Sequence, residues 1–131
     1  MVISGRISNA SSVGVLIEDL TDDGKKLGLS KDIIEARVNA VLRKNGLKPV
    51  EATDHFYYVQ VSVYGVAFAV KVSFVRGVTF NDGIRERFTL ADTWERAYLG
   101  TYSSQRMDSI LDQVSTLTEQ FANEFLKANG K

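Results

Sequence analysis

The sequence predicts a single α+β domain in which a mixed β-sheet carries two helices packed on one face. Two segments repeat apolar residues at helical spacing, and five segments have the composition and alternation of strands. One helix stands between the first two strands, where it has to act as a crossover, while the later strands follow one another directly. The expected element order is therefore β-α-β-β-β-β-α. A chain of 131 residues is long enough to bury one core of this kind.

The first strand is expected at Val13 to Leu20, after a flexible N-terminal arm at residues 1–12. Its sequence, VGVLIEDL, begins with consecutive apolar residues, which is typical of a central strand that is covered on both faces. The polar segment TDDGKKLGL that follows is expected to be a loop. Residues 13–131 contain neither a linker-like stretch nor a repeat, so they are expected to form one domain.

The first helix is expected over residues 31–45. Ser30 is a typical N-cap residue, and Gly46 followed by Pro49 ends the helical pattern. The last helix is expected to begin after a cap at Ser103 or Ser104. Its apolar stripe belongs to the core by default, because about three heptads without regular flanking charge pairs do not make a coiled coil. The stripe consists of Met107, Ile110, Leu111, Val114, Leu117, Phe121 and Phe125.

Between the helices the apolar period changes to two, which predicts four further strands at residues 47–52, 55–64, 66–80 and 85–102. Residues 55–64 put two contrasting sets of side chains on opposite faces. One set is Tyr57, Val59, Val61 and Val63; the other is Phe56, Tyr58, Gln60, Ser62 and Tyr64. Either face could be the one that the helices cover.

Trp94, the only tryptophan, lies in the last of these strands. Strict alternation places it on one face with Leu90 and Tyr98, so it is expected to be a packing element of the fold rather than part of a site. A buried indole N–H needs an acceptor, and Asp92 or a loop carbonyl is the expected one.

Composition argues against most kinds of chemistry. The chain has no cysteine and one histidine, His55, and it has no G-x-S-x-G elbow or phosphate-binding glycine loop. No catalytic, cofactor-binding or metal-binding residues are therefore expected, and the chain is expected not to be an enzyme. Sixteen basic and sixteen acidic residues cancel, which argues against a nucleic-acid binder. The longest apolar run, Val63 to Val70, is too short to span a bilayer.

Two sets of residues are candidates for a partner or ligand surface. Glu18 and Asp19 close the first strand, and ligands of α/β sheets commonly bind at the carboxyl ends of strands. The neighbouring acidic loop does not match a calcium-binding EF-hand, because Thr21 and Ser30 occupy positions that need carboxylates. Phe56, Tyr58 and Tyr64 form the second set: if their face is exposed they provide a binding patch, and otherwise they are core or cross-strand pairs.

Five short motifs together resemble a family of small, mostly exported bacterial proteins of uncharacterised function. They are Val15-Leu16-Ile17-Glu18-Asp19-Leu20, Gly28-Leu29-Ser30, Leu42-Arg43-Lys44-Asn45-Gly46, Thr93-Trp94 with Gly100-Thr101, and Phe121 to Asn129. The resemblance covers nearly the whole chain from Val13.

The resemblance implies a fold similar to the N-terminal domain of the Tol-system protein TolB, and a periplasmic or otherwise exported location. It also implies a non-enzymatic role, in which the domain binds another envelope protein or itself. The residues MVISGRISNASS do not have the basic and apolar regions of a signal peptide, so export is implied by the family alone. The alternative is a small ligand- or metal-binding protein, or an enzyme, that uses the acidic end of the first strand.

Overall fold

The computed structural model describes residues 12–51, 55–81, 83–101 and 106–130. The expected class is confirmed, and the order agrees apart from one additional short helix. The elements are β1 (Ser12–Ile17), α1 (Asp22–Lys26), α2 (Lys31–Lys44), β2 (Lys48–Val50), β3 (His55–Tyr64), β4 (Ala67–Asn81), β5 (Glu86–Thr101) and α3 (Arg106–Ala128). The proposed arm falls almost wholly outside the described residues, as do both candidate caps of the last helix.

The sheet is mixed, with the strand order β2-β1-β3-β4-β5. β1 runs parallel to both of its neighbours, β2 and β3. Parallel neighbours need a crossover, and α2 provides it between β1 and β2. β3, β4 and β5 form an antiparallel meander joined by tight turns, with Gly65 and Gly83 at positive φ.

The helices cover one face of the sheet and leave the other without a described element on it. α2 contacts β1 and β2, α3 contacts β4 and β5, and the two helices contact each other. The valine-rich face is the covered one, and its residues are buried against the apolar stripes of both helices. The sheet contributes Tyr57, Val59, Val61, Val63, Phe68, Val70, Val72, Phe74 and Trp94; the helices contribute Ile34, Val38, Leu42, Ile110, Val114, Phe121 and Phe125.

α2 begins and ends as its sequence predicts. The Ser30 hydroxyl accepts a hydrogen bond from the Ile33 N–H at 3.1 Å. Gly46 has φ 85°, a conformation that permits the Leu47 N–H to reach back to the Leu42 carbonyl at 2.9 Å. The side-chain amide of Asn45 donates to the Glu119 carboxylate at 2.9 Å and so ties the end of α2 to α3.

The loop expected after β1 is instead helical over residues 22–26. Thr21 caps α1 by accepting a hydrogen bond from the Gly24 N–H at 3.3 Å. Acidic residues lie in the first turn and Lys25 and Lys26 in the last, which complements the helix dipole. The same hydroxyl donates to the Val63 carbonyl at 2.9 Å and accepts from the Val63 N–H at 3.0 Å. This five-residue helix is therefore held by β3, 42 positions away, rather than by its own propensity.

β1 ends at Ile17, and the described helices cover one of its faces, whereas the sequence predicts a strand covered on both. Val13 and Ile17 are buried under the helices, whereas Leu16 is 41% exposed. Leu16 pairs with Tyr58 and shares its face of the sheet. An apolar side chain therefore stands on a face that the described elements leave open.

Trp94 is fully buried, as expected, with its ring 5.5 Å from that of Phe121. Its indole N–H donates to the Glu124 carboxylate, so the expected acceptor was wrong. Phe74 pairs with Trp94, but the next residue, Val75, pairs with Asp92, which leaves Thr93 as the extra residue of a β-bulge. The bulge reverses the alternation and turns Asp92 away from the face of Trp94. The side chain of Leu90 lies outside the described residues.

Candidate functional site

The face of the sheet opposite the helices, called here the open face, holds two of the candidate aromatic residues side by side. Phe56 and Tyr58 alternate with the buried Tyr57, so both point away from the core, and both are partly exposed. Leu16 joins them from β1, since it pairs with Tyr58. Apolar side chains from two neighbouring strands thus meet at the centre of this face.

A shallow hollow of about 210 Å³ lies on the open face between β3 and β5. Cross-strand pairing positions its lining, because Phe56 pairs with Val75 and Tyr58 pairs with Ser73. The bulge at Thr93 turns Asp92 toward the same face, opposite Val75. The full lining is Phe56, Tyr58, Gln60, Lys71, Ser73, Val75 and Asp92.

Charged side chains form the rim of this hollow. Lys71 and Glu95 make an ion pair at 3.6 Å, and each side chain is about half exposed. The exposed Asp92 adds a second carboxylate. An aromatic floor with polar and charged groups around it resembles the apolar centre and polar rim of protein interfaces.

The other predicted site residues lie apart from this hollow. Tyr64 is on the same face but at the end of β3, where it pairs with Ala67 and is 69% exposed. Glu18 follows β1 directly, and its N–H donates to the Val59 carbonyl at 2.8 Å. Asp19 is exposed and makes an ion pair with Lys31 at 3.1 Å. The structure therefore brings Phe56 and Tyr58 together and leaves the acidic pair at the end of β1.

Asp19 and Lys31 border a second hollow, of about 380 Å³, together with Leu20, Lys25, Leu29, Ser30 and Asp32. Its charged lining has both signs. Asp23, from the same acidic segment, accepts a hydrogen bond from the Gly65 N–H at 2.8 Å. This carboxylate therefore stabilises the turn between β3 and β4. In the part of the chain that the structure describes, no three His, Cys, Asp or Glu side chains are grouped in a way that could hold a metal ion.

A third hollow, of about 440 Å³, was not foreseen from the sequence. β2 pairs only with residues 12–14 of β1, so the edge of β1 beyond Gly14 faces α2 across a gap. Glu35, Asn39 and Arg43 line it from successive turns of α2, opposite Val15, Leu16, Pro49, Val50 and Glu51. The Asn39 side-chain oxygen is buried there without a hydrogen-bond partner among the described residues. In the sequence, the only signal for this hollow is the spacing of Glu35, Asn39 and Arg43 by four residues. The same spacing also fits a helix face exposed to solvent.

The buried hydroxyl groups have structural partners. The Tyr57 hydroxyl lies 3.0 Å from the Thr118 hydroxyl, which donates to the Val114 carbonyl at 2.7 Å. Burial raises the pKa of Tyr57 far above its ordinary value, and the hydrogen bond with Thr118 opposes this only partly. Tyr57 therefore stays neutral and serves as a hydrogen-bonding core residue.

The chain matches no protein-family model and no curated protein. Among solved structures it is similar to a minor lipoprotein from Acinetobacter baumannii, at 16% identity and a TM-score of 0.33, over 84% of this chain and 92% of that one. It is also similar to the rare lipoprotein B from Shewanella oneidensis, at 14% identity and a TM-score of 0.29, over 88% and 92%. The Thermus thermophilus Protein Y N-terminal domain gives 14% identity and a TM-score of 0.33, over 82% and 94%.

Similarities at this level carry no argument about the function of the chain. Within the described residues, no helix combines the length and the apolar character needed to cross a membrane.

Proposed function

We propose that this chain is a non-enzymatic domain of the cell envelope, located outside the cytoplasm, whose open sheet face binds another protein. The observation that carries the binding role is the pair Phe56 and Tyr58, partly exposed at the centre of a sheet face that no described element covers. The envelope location rests on the five sequence motifs that resemble exported bacterial proteins.

The side chains of the open face are of the kinds that bind other proteins. Aromatic side chains at the centre of a patch commonly supply most of the binding energy of an interface, and the polar groups around them exclude water. Lys71, Glu95 and Asp92 provide such a rim around Phe56 and Tyr58. The non-enzymatic role is supported by the residue content, since the chain has no cysteine, one histidine and no nucleophile elbow.

Site-specific cross-linking tests the open face in the cell. A photoreactive residue at Tyr58 is expected to trap a discrete partner, and the same residue at Asp112, exposed on α3 behind the other face of the sheet, is expected not to trap it. With the trapped protein purified, Phe56→Ser is expected to weaken binding by about 30-fold, as for a hot-spot residue. Tyr64→Ser is the matched control, because Tyr64 is an exposed aromatic residue on the same strand outside the hollow.

Two results would count against binding through the open face. One is the absence of a specific adduct at Tyr58. The other is equal affinity of the Phe56→Ser variant and the wild type, with both shown to be folded by their melting temperatures. The location is tested separately, by fusing the natural gene to a reporter enzyme that is active only outside the cytoplasm. A reporter that stays inactive would contradict export.

The alternative function, ligand or metal binding at the acidic end of the first strand, is favoured by one observation. Asp19 lies beside a hollow of about 380 Å³ that also presents Lys25 and Lys31. A ligand that binds only the folded state at 100 times its Kd adds about 2.7 kcal/mol to the free energy of unfolding. A thermal-shift panel of calcium, magnesium, zinc and small anionic metabolites is therefore expected to show a rise that Asp19→Asn abolishes, and a flat panel would remove this alternative.

A further inference from the structure

We propose that the C-terminal half of β5, Glu95–Thr101, pairs with the same segment of a second copy of this chain. Two five-stranded sheets then join edge to edge into one. This pairing uses the edge of the sheet, so it does not depend on the proposed binding through the open face.

The two edges of the sheet differ in how they are protected. The β2 edge has three residues and includes Pro49, which has no N–H to offer to another strand. β5, at the other edge, has 16 residues and pairs with β4 on one side. Among the residues that the structure describes, no strand or helix pairs with its other side. An unpaired edge of this length presents a row of backbone donors and acceptors that another strand satisfies.

Exposed apolar side chains concentrate where this edge ends. Leu99 is 79% exposed and Tyr98 is also exposed. Tyr64 and Val66, at the turn between β3 and β4, lie nearby, because Ala67 pairs with Thr101. Four of the seven large exposed hydrophobic residues in the described part of the chain thus belong to one corner of the sheet. Tyr98 and Leu99 point to opposite faces, so both faces of this edge carry an exposed apolar side chain beside the unpaired backbone.

The bulge at Thr93 sets the start of the pairing segment. Bulges disrupt the ladder and bend an edge strand, which discourages pairing on that part of the edge. From Glu95 to Thr101 the register with β4 is regular. These seven residues extend about 23 Å, a typical strand length.

The segment pairs with a copy of itself over its whole length in one register. A twofold axis perpendicular to the sheet runs the two strands antiparallel and keeps both open faces on the same side. An axis at Glu95 or at Arg96 would place like charges opposite each other, which is destabilising. An axis at Tyr98, the middle residue, pairs Glu95–Thr101 with itself over its whole length, with Glu95 opposite Thr101 and Ala97 opposite Leu99 of the second copy. The two Tyr98 side chains then lie opposite each other on the helix face of the sheet, where they form an aromatic cross-strand pair.

A second copy fits this edge better than an unrelated peptide for a thermodynamic reason. An identical chain brings its own unpaired edge with its own Tyr98 and Leu99, so one contact pairs both edges and covers these side chains of both copies. The symmetry also closes the assembly at two copies, because each sheet has one such edge.

The register is tested by charge substitution at Thr101, which the axis places opposite Glu95 of the second copy. Thr101→Glu is expected to raise the dimer dissociation constant about tenfold above that of Thr101→Lys, because each dimer contains the pair twice. Ile84→Glu is the control, since Ile84 is 90% exposed but lies in the turn before β5. Sedimentation equilibrium measures all four proteins, including the wild type.

A covalent test uses the absence of cysteine from the chain. Residues directly opposite each other in an antiparallel pair have Cβ atoms about 4.5–5.5 Å apart, close to disulfide range. Tyr98→Cys is therefore expected to form a disulfide-linked dimer under mild oxidation, and Ile84→Cys is expected to remain largely monomeric. A wild type that is monomeric at every concentration, equal dissociation constants for Thr101→Glu and Thr101→Lys, or equal cross-linking of the two cysteine variants would overturn the pairing.

Discussion

Trp94, Arg96 and Glu124 form one contact group between β5 and α3. The buried indole N–H donates to the Glu124 carboxylate, and the Arg96 guanidinium contacts the same carboxylate at 3.3 Å. The Arg96 guanidinium carbon also lies 5.0 Å from the centre of the Trp94 ring. One carboxylate thus satisfies a buried donor and a cation together, which fixes the position of α3 on the edge strand.

Removal of the Glu124 carboxylate is expected to destabilise the fold measurably. Glu124→Leu leaves the indole N–H buried without an acceptor, which costs about 1–3 kcal/mol. Glu124→Gln keeps an acceptor oxygen and is expected to lose less. Trp94 is the only tryptophan, so its fluorescence in a urea titration reports the free energy of unfolding directly. Equal stability of both variants and the wild type would contradict the role of this carboxylate.

Tyr57 makes the stability of the domain depend on pH in the alkaline range. Its pKa is raised in the folded state, mainly by burial. Above pH about 10, the ordinary pKa of tyrosine, the unfolded chain loses the Tyr57 proton while the folded chain keeps it. The free energy of unfolding is therefore expected to fall as pH rises, by up to about 1.4 kcal/mol per pH unit from this group. Tyr57→Phe is expected to reduce that slope between pH 9 and 11, which thermal melts at several pH values measure.

α1 shows how a short element depends on a distant one. Its five residues include one glycine and two aspartates, which are poor helix formers. Thr21 connects it to both backbone groups of Val63, and Asp23 holds the Gly65 N–H. The helix therefore exists because β3 lies beside it.

Replacement of the Thr21 hydroxyl is expected to release α1 from the sheet. Thr21→Val removes the acceptor of two N–H groups with little change of shape, at a cost of about 1–2 kcal/mol. Amide hydrogen exchange at Leu27 is expected to speed up more than exchange in α2, while Thr21→Ser, which keeps the hydroxyl, leaves both nearly unchanged. Uniform acceleration across both helices would contradict a local role for Thr21.

The elements that the sequence predicts well are those whose signal is local. α2 has its cap, its apolar spacing and its terminal glycine within one segment, and β3 alternates without interruption. Three features depend on contacts with distant residues, so no local pattern in the sequence reveals them. They are the helix α1, the exposure of the Leu16 side chain and the bulge at Thr93. For the candidate site, alternation assigned Phe56 and Tyr58 to one face. The alternation did not show which face the helices cover, because that depends on how the helices pack on the sheet.

At the scale of the whole molecule, the core is one-sided. Helices bury Phe74 completely on one face of the sheet, while Phe56 on the other face is partly exposed. Two phenylalanines on neighbouring strands thus have very different surroundings.

Truncating each of these phenylalanines measures the asymmetry. Phe74→Ala is expected to cost about 3–5 kcal/mol, since it leaves a cavity among aromatic rings. Phe56→Ala is expected to cost clearly less, because part of its ring is already in water. Guanidinium unfolding curves of the two variants provide the comparison, and equal losses would mean that both faces are covered.

The parallel pairing of β1 has a consequence for how the chain folds during synthesis. β3 pairs with β4 and β4 pairs with β5, each the next strand in the chain, so this meander forms through short loops. β1 lies between β2 and β3. The hydrogen bond between Thr21, which follows β1, and Val63 of β3 joins residues 42 positions apart. β1 leaves the ribosome before the other strands and has only the three-residue β2 as a neighbour until β3 has been made. Its apolar segment VGVLI therefore spends the longest time exposed, which makes it the natural site for a chaperone to hold.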